Sequence, residues 1–340
     1  MYDSIRPGKY WYDNNKKLIQ AHGGSVIYAE GKYWWYGENK EGVTGRATGE
    51  ECPYWHHGVK LYSSLDLYNW TDEGFVVRES DDKNNPFHGE NLMDRPHVLF
   101  NAKTKKFVLW AKCVRGRDFN KCFFAVCIGD SLKNMNYVKD VTPEPHHVGD
   151  FDMFEHNGRA YVIYENPHKE MILRELNEDY TDVSDNWSSH IPMQGPPFTR
   201  EAPAVFEKDG ALYMIASGTT GYYANRTLAY DITALHGEWK ELGEVCEGDF
   251  MKTSFNAQYS SVFLHKESGK LIAVGDRWLT DLSYDLPNME DVFKQIYQDK
   301  KKLIVSDYSE SNTSLATYVW LPVEIKKGKP TITWKSKYSL

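Results

Sequence analysis

Five β-hairpins recur along the chain at intervals of roughly 50 residues, a spacing that is typical of the blades of a β-propeller. Each hairpin has an apolar run, a polar turn and a second run of aliphatic or aromatic residues. The five hairpins are Val26 to Glu38, Val98 to Lys112, Met153 to Glu165, Ala204 to Gly218 and Val262 to Trp278. We therefore expect an all-β fold, a five-bladed β-propeller with four strands in each blade, and a single domain over residues 1–340.

The composition fits an all-β chain and argues against some partners. The 340 residues include 11 Trp and 23 Tyr, and helical periodicity is scarce, which favours sheets with surfaces rich in aromatic rings. The net charge is -8 without a basic stripe, so we expect no nucleic-acid partner. No apolar stretch approaches the roughly 18 residues of a membrane-spanning helix, so we expect no membrane partner either.

Localisation and metal binding can also be judged from the sequence. The first residues lack the basic region and the apolar core of a signal peptide. We expect a cytoplasmic protein from the chain as written, and a secreted or periplasmic one if a leader was trimmed. The five cysteines are odd in number and lack paired spacing, which favours reduced structural thiols over disulfides or a zinc site. His146 and His147 lack a third ligand nearby, so we expect no metal site and no cofactor, and nothing indicates an oligomeric state.

Polar residues stand at corresponding places at or before the start of the five hairpins. They are His22, Asp94 with Arg95, Asp150, Glu201 and Gln258. The first strand of each propeller blade lines the central axis, so corresponding positions converge on one funnel. We therefore predict one shared site rather than five unrelated polar positions.

Glu201 is the strongest candidate for chemistry in this set. It lies at the entry of an apolar strand, where a buried unpaired carboxylate costs several kcal/mol or shifts its pKa. Cleavage of a glycosidic bond needs a proton for the leaving oxygen and a means of activating water. We predict Glu201 as the acid, with Asp150 raising its pKa by like-charge proximity and Arg95 holding a hydroxyl or balancing charge.

Several short motifs follow one another over nearly the whole chain. They are Ile19 to Gly24, Tyr33 to Lys40, Gly58 to Ser64, Arg95-Pro96, Arg200 to Ala204, Thr220 to Tyr222, Gly275 to Trp278 and Trp320 to Pro322. In this order they resemble glycoside hydrolase family 43, and within it the exo-β-1,3-galactanase-like branch. The resemblance implies an oligosaccharide or polysaccharide substrate, cleaved from its end with inversion.

The resemblance also implies roles for three residues. Glu201 would be the general acid and Asp150 would occupy the pKa-modulating position. The carboxylate base that most of the family carries on the first blade is missing, since the corresponding segment, residues 21–24, contains no Asp. The galactanase branch shares this absence, and its glutamine on the last blade corresponds to Gln258. An amide is a very weak base, so an imidic tautomer or simple positioning of water must be supposed.

Further residues correspond to sugar contacts in the family. They are Glu38, Asp94, Arg95, Thr220, Tyr222 and Asn225, to which we add His22 from the first blade. Two departures leave the exact sugar open. Asp94 stands where relatives often have Glu, and the segment Lys112 to Asn120 stands where relatives usually carry His and Tyr. A site that reads hydroxyls rejects epimers strongly, so such changes can alter specificity.

Two alternatives to an exo-acting galactosidase stay open. The first is a family 43-like hydrolase of another glycoside, such as an arabinoside or xyloside. The second is a non-catalytic carbohydrate-binding propeller, against which the retention of both Glu201 and Asp150 argues. A glycoside phosphorylase would need an Arg, Lys and His cluster beside the acid, which the sequence does not indicate.

Two segments interrupt the pattern of strands. Residues 41–57 read as a rim loop over the funnel, in which Tyr54, Trp55 and His57 either stack on a sugar or pack the loop onto its blade. Residues 288–298 read as a helix capped by Asn288, inserted at the edge of blade five.

Overall fold

Five β-sheets form the computed structural model, which describes residues 1–42, 54–192, 195–280, 289–300 and 312–340, without the side chain of Arg117. Blade one contains β1 (His22–Ala29), β2 (Lys32–Glu38), β3 (Gly58–Ser64) and β4 (Thr71–Arg78). Blade two contains β5 (Leu92–Asn101), β6 (Lys106–Val114), β7 (Cys122–Gly129) and β8 (Asn136–Val141). Blade three contains β9 (Phe151–His156), β10 (Arg159–Asn166), β11 (Glu170–Leu176) and β12 (Val183–His190). Blade four contains β13 (Arg200–Lys208), β14 (Ala211–Gly218), β15 (Thr227–Asp231) and β16 (Lys240–Glu244).

Blade five is built around the last part of the chain. Its strands are β17 (Cys246–Glu247), β18 (Gln258–Leu264), β19 (Leu271–Arg277), β20 (Thr317–Lys326) and β21 (Lys329–Thr333). The one described α-helix, α1 (Met289–Tyr297), lies between β19 and β20, and short 3-10 turns occur at Arg115–Arg117 and Thr313–Leu315.

The first strands of the five blades surround one axis. The strands β1, β5, β9, β13 and β18 each contact the next in this order, and β18 contacts β1. This closed ring is a five-bladed β-propeller, so the predicted fold is confirmed. All five predicted hairpins are present as the pairs β1–β2, β5–β6, β9–β10, β13–β14 and β18–β19.

Blade five differs from the expected four strands. The short strand β17 pairs in parallel with β21, so the sheet has the order β17-β21-β20-β19-β18. The segment that leaves blade four therefore lies along the outer edge of blade five. An exposed edge carries unpaired backbone groups, and β17 covers part of this one.

The apolar core lies between neighbouring blades rather than at one centre. The cluster between blades one and five contains Trp35, Trp70 and Trp320, all nearly fully buried. Trp11 of the N-terminal segment packs edge-on against Trp35 and Trp320. The two ends of the chain also meet, because Ile5 and Tyr338 exchange backbone hydrogen bonds of 2.9 and 3.1 Å. The first and last blades are thus joined by packing and by pairing of the termini.

The predicted helix is present, but not at a sheet edge. Phe293 and Met289 of α1 pack with Tyr223 and Trp278, close to the residues of the funnel mouth. Helix α1 therefore lies at the funnel mouth, where its apolar face contacts aromatic side chains. The predicted cap, Asn288, falls outside the described residues.

Two further observations concern the described residues alone. None of their helices is both long and apolar enough to cross a membrane. Cys113, Cys122, Cys127 and Cys246 are free thiols, while Cys52 lies outside the part that the structure describes.

Candidate active site

One cavity of about 160 Å³ lies where the first strands begin, and residues from all five blades line it. The lining residues are Glu38, Lys40, Trp55, Leu92, Asp94, Arg95, Phe119, Asp150, Glu201, Gly221, Tyr222, Gln258 and Trp278. The three predicted catalytic residues and four of the predicted sugar contacts are among them. We call this space the funnel cavity.

Irregular strand pairing carries two of these side chains to the wall. The pairing of β13 with β14 shifts register just after Glu201, and that of β5 with β6 shifts just after Asp94. Within these bulges Ala202 and Arg95 have positive φ angles of 49° and 52°. A bulge bends a strand locally and redirects a side chain, and bulges are common beside active sites.

Gln258 holds Glu201 through its amide group. Its Nε2 donates to Oε1 of Glu201 at 2.9 Å and to Oγ of Ser217 at 3.0 Å. Its Oε1 accepts from Nη2 of Arg95 at 2.6 Å and from the indole N–H of Trp278 at 3.1 Å. Arg and Trp side chains only donate, so they fix which end of the amide is the oxygen. Both lone pairs and both amide hydrogens of Gln258 are thus used within the protein.

Asp150 lies between two cations. Its Oδ2 is 3.0 Å from Nη2 of Arg95, and its Oδ1 accepts from Nζ of Lys112 at 3.0 Å. Burial opposes ionisation of this carboxyl, but the charges of Arg95 and Lys112 outweigh it and hold its pKa below the ordinary range. Asp150 is therefore an anion near neutral pH.

Glu201 has the opposite tendency. Burial, together with the negative charges of Asp150 and Glu165, raises its pKa well above the ordinary value, against the influence of Arg95 and Lys112. The two carboxyl groups share one cavity but favour different protonation states. Environments that drive two pKa values apart in this way are typical of an acid paired with a permanently charged partner.

The blade-one side of the cavity carries another charged cluster. Burial raises the pKa of Glu38 to about 7, although Nζ of Lys40 is 2.9 Å from its Oε2. The same Nζ is 4.6 Å from the ring centre of Trp55, which is a cation–π distance. The indole N–H of Trp55 donates to Asp94 at 3.2 Å. The wall here offers charged groups next to an aromatic ring.

Apart from Glu38, which was predicted as a sugar contact, sequence reasoning missed a second ring of polar residues on the neighbouring strands. At the funnel end of each hairpin, the second strand places a polar residue beside the first-strand position. The cross-strand neighbours are Glu38 for His22, Lys112 for Asp94, Ser217 for Glu201 and Asp276 for Gln258, while the backbone N–H of Glu165 donates to the carbonyl of Asp150. Lining up the ends of the five hairpins, and not only their beginnings, would have revealed this ring.

A second, larger cavity of about 410 Å³ adjoins the first. It shares Phe119, Asp150, Glu201 and Gly221 with the funnel cavity and extends toward Lys112, Glu165, His168, Phe293 and Tyr297. Burial and the charge of Asp150 raise the pKa of Glu165 to about 7. The two cavities therefore meet at Glu201 and Asp150. We call the larger one the outer cavity.

Three predicted sugar contacts do not line the funnel cavity. His22 is fully buried, with its ring nitrogens 3.0 Å from Asp276 and 3.3 Å from Gln20. Thr220 is also fully buried, and Asn225 bonds to Thr220 and to both backbone groups of Gly218.

Thr220 and Asn225 instead hold the loop of blade four that presents Gly221 and Tyr222 to the cavity. The sugar contacts expected of His22, Thr220 and Asn225 stay predictions, since none of the three lines the funnel cavity. A polar residue that lies near site residues in the sequence can also serve to hold the conformation of the loop that carries them.

The rim loop is described from Tyr54 onward. Trp55 is nearly buried and lines the funnel cavity, so it both packs the loop and faces the space where a sugar would lie. Tyr54 packs against His57, and His57 pairs with Glu79 at 2.8 Å. Residues 43–53 of this predicted segment fall outside the described residues.

No group of three or more His, Cys, Asp or Glu side chains placed to hold a metal ion occurs in the described part of the chain. The site's charged groups instead pair with one another.

Comparisons with known proteins agree with this architecture. The family model of glycosyl hydrolases family 43 matches residues 20–242. No curated protein sequence matches the chain. A structure described as the family 43 β-1,3-galactosidase BT3683 with galactodeoxynojirimycin is similar over 99% of this chain and 100% of its own, with 26% identity and a TM-score of 0.79.

Other solved structures share the fold at lower identity. The family 43 β-1,3-galactosidase BT0265 is 24% identical with a TM-score of 0.80, and this chain spans 64% of its length. An exo-β-1,3-galactanase from Clostridium thermocellum is 22% identical with a TM-score of 0.77, over 98% of this chain and 66% of its own. An exo-β-1,3-galactanase from Phanerochaete chrysosporium, solved with β-1,3-galactotriose, is 20% identical with a TM-score of 0.78, over 100% of this chain and 68% of its own.

Proposed function

The chain belongs to glycosyl hydrolase family 43 and is a glycosidase, and we propose that it removes terminal β-galactosyl residues from β-1,3-linked galactan or galacto-oligosaccharides with inversion. The observation that carries this proposal is the pair of carboxyl groups at the junction of the two cavities. Glu201, with its raised pKa, is the proton donor, and Asp150 is the fixed anion beside it.

The two cavities supply the places for the two sides of the scissile bond. The funnel cavity has room for about one monosaccharide, and residues of all five blades surround it. The outer cavity is larger and takes the leaving part of the substrate. Because Glu201 lines both, its proton is available to the oxygen that links the two sugars. A single terminal sugar on one side and a longer remainder on the other correspond to exo action.

The galactose assignment rests on the named relatives. The relative at 26% identity is described as a β-1,3-galactosidase and was solved with galactodeoxynojirimycin. It matches this chain along its whole length, so the same sugar is the best starting proposal. Glu38, Asp94 and Arg95 are the charged side chains placed to read its hydroxyls.

In the proposed reaction Glu201 protonates the glycosidic oxygen as the bond to the anomeric carbon breaks, while water attacks that carbon from the opposite face. The attacking water releases one proton to the solvent as the new C–O bond forms, and Glu201 takes up a proton from the solvent before the next turnover. Asp150 stays ionised. Its negative charge raises the pKa of Glu201, so Glu201 holds its proton until it donates it to the leaving oxygen. Gln258 fixes the direction of Glu201 through the 2.9 Å hydrogen bond. If Arg95 or Trp278 turns to a sugar hydroxyl, a lone pair of Gln258 Oε1 becomes free to position the attacking water. This assigns Gln258 a positioning role with an ordinary amide and no tautomer.

Product analysis tests the proposal. The purified protein is incubated with β-1,3-galactobiose and with aryl β-galactoside, α-arabinoside and β-xyloside, and the anomers are followed by NMR. We expect galactose released first as the α-anomer. Release of arabinose or xylose instead would assign the enzyme to another glycoside, and the β-anomer as first product would exclude inversion. Sugar binding without turnover would favour the carbohydrate-binding propeller.

A further inference from the structure

A separate cavity of about 290 Å³ lies against the outside of blade one. The N-terminal segment, residues 2–12, forms one side, and the turn that joins β3 to β4 forms the other. Its aromatic lining consists of Tyr2, Tyr10, Trp11, Tyr12, Tyr68 and Trp70. We call it the Tyr10 cavity.

The Tyr10 cavity is distant from the funnel. Val59, near the start of β3, pairs with Glu38 of the funnel wall, whereas Leu67 of the Tyr10 cavity follows the other end of β3. A strand of this length spans about 20 Å. The two sites therefore lie at opposite ends of blade one and share no lining residue.

The floor of the Tyr10 cavity is fixed by contacts within the protein. Trp70 is almost completely buried, and Trp11 packs against the core while its indole N–H donates to the carbonyl of Arg6 at 3.0 Å. The side chain of Asn69 bonds to both backbone groups of Tyr2, at 2.8 and 2.9 Å. A site held in this way needs little ordering when a ligand binds, which favours affinity.

The rim offers rings and hydrogen-bond donors to solvent. Tyr2, Tyr10 and Tyr12 are 41%, 43% and 39% exposed, so each presents part of its ring to solvent. Their hydroxyl groups make no hydrogen bond to the described part of the chain, and neither Arg6 nor Lys9 forms an ion pair there. Clustered exposed rings of this kind mark a binding surface.

The chemistry of the lining fits a sugar that is bound but not cleaved. Aromatic faces pack against the apolar C–H face of a pyranose, and tyrosine hydroxyls and cationic side chains bond to its hydroxyl groups. No lining residue is an Asp or Glu, so the cavity contains no acid for glycosidic cleavage.

We propose that the Tyr10 cavity is a second carbohydrate-binding site, which holds a segment of a galactan chain while the funnel cleaves chain ends. The identity of the sugar rests on the proposed function. The site raises the local concentration of long chains at the enzyme, which a disaccharide is too short to exploit.

The test compares a long and a short substrate in the double variant Tyr10→Ala/Tyr12→Ala. We expect kcat/KM on polymeric β-1,3-galactan to fall about tenfold, while kcat/KM on β-1,3-galactobiose stays within twofold. Only the polymer is long enough to occupy both sites at once, so only its binding should weaken. Phe250→Ala removes an aromatic ring that is 93% exposed and lies outside these cavities, and we expect it to change neither value. An unchanged ratio between polymer and disaccharide in the double variant would overturn the proposal.

Affinity electrophoresis separates failure of this site from failure of the proposed activity. Gels containing galactan, arabinan or xylan are run with the wild type, the double variant and Phe250→Ala. If galactan retards the wild type and Phe250→Ala but not the double variant, the site is supported as proposed. Retardation by arabinan or xylan alone, lost in the double variant, keeps a second site but removes galactose as its sugar. No difference between the double variant and the wild type on any gel overturns the site, whatever sugar the funnel cleaves.

Discussion

At the scale of single residues, the cations around Asp150 give the two carboxyl groups different protonation states. Arg95 and Lys112 both contact Asp150, and no comparable ion pair is formed by Glu201 within the described residues. Asp150 is consequently held as an anion, and its charge in turn favours the protonated form of Glu201. Lys112 also contacts a second carboxylate of the wall, Asp94, at 3.3 Å.

Removing the charge of Lys112 should move the pH profile of activity to higher pH. Lys112 lowers the pKa of both Asp150 and Glu201, so both pKa values rise in Lys112→Met. The proposed reaction needs Asp150 ionised and Glu201 protonated, so the acidic limb and the alkaline limb of the pH profile of kcat/KM should both shift to higher pH. The profile is measured on an aryl β-galactoside.

Two control variants isolate the charge effect. Lys112→Arg keeps the charge and should restore a profile close to wild type. Lys106→Met, at the other end of β6, removes a lysine that pairs with Asp130 on the surface and should leave the profile unchanged. Coincident profiles for Lys112→Met and the wild type would remove Lys112 from the electrostatics of the site.

Gln258 should act as a positioning residue rather than as a base. Gln258→Leu loses the donor to Glu201, the acceptor of the Trp278 indole N–H and one of the acceptors of Arg95, so we expect kcat to fall about 10²-fold. Ser217→Ala removes one acceptor of the same amide and should cost much less. Steady-state kinetics on β-1,3-galactobiose measures both, and a Gln258→Leu enzyme with wild-type kcat would contradict the role.

At the scale of strands, the funnel depends on where each hairpin begins and how it bends. The hairpins are readable from sequence because apolar alternation and turn residues are local signals. The bulges after Glu201 and Asp94 cannot be predicted from the sequence. Ala202 and Arg95 are not residue types that favour positive φ, and they adopt it only because the surrounding structure requires it. The burial of His22 is a consequence of packing against Asp276 of another blade, which no local signal reveals.

The glycine at the start of β1 gives an element-level prediction. Gly23 has φ of 60°, and a Cβ atom there would lie 2.5 Å from Oε1 of Glu38. Gly23→Ala must therefore displace a carboxylate of the funnel wall, and we expect kcat/KM on β-1,3-galactobiose to fall at least about tenfold.

Gly31 provides the matched control at the other end of β1. It has φ of 79°, but a Cβ atom there meets nothing within 4 Å. Gly31→Ala should therefore cost similar backbone strain, about 1–2 kcal/mol, with kcat/KM unchanged. Equal activity losses in the two variants would mean that strain, and not the contact with Glu38, is responsible.

At the scale of the whole molecule, the ring of five blades converts scattered sequence positions into one site. Arg95, Asp150, Glu201 and Gln258 come from four different blades, yet a chain of hydrogen bonds connects them. The repeat spacing predicted this convergence, because a propeller leaves no other common place for its first strands. The outer cavity was not predicted, since α1 reaches it from a long insertion in blade five. Nor was the Tyr10 cavity, because the N-terminal segment does not belong to the repeat.

The most direct test of the central claim is the turnover of Glu201→Gln on two leaving groups, with Glu207→Gln as the control from the exposed end of the same strand. On β-1,3-galactobiose, whose leaving group needs a proton, we expect a loss of about 10²–10⁴-fold in kcat for Glu201→Gln and none for Glu207→Gln. On 2,4-dinitrophenyl β-galactoside, whose leaving group departs without a proton, Glu201→Gln should lose far less. If Glu201→Gln cleaves β-1,3-galactobiose within a few-fold of wild type, Glu201 is not the acid and the assignment of the site is wrong.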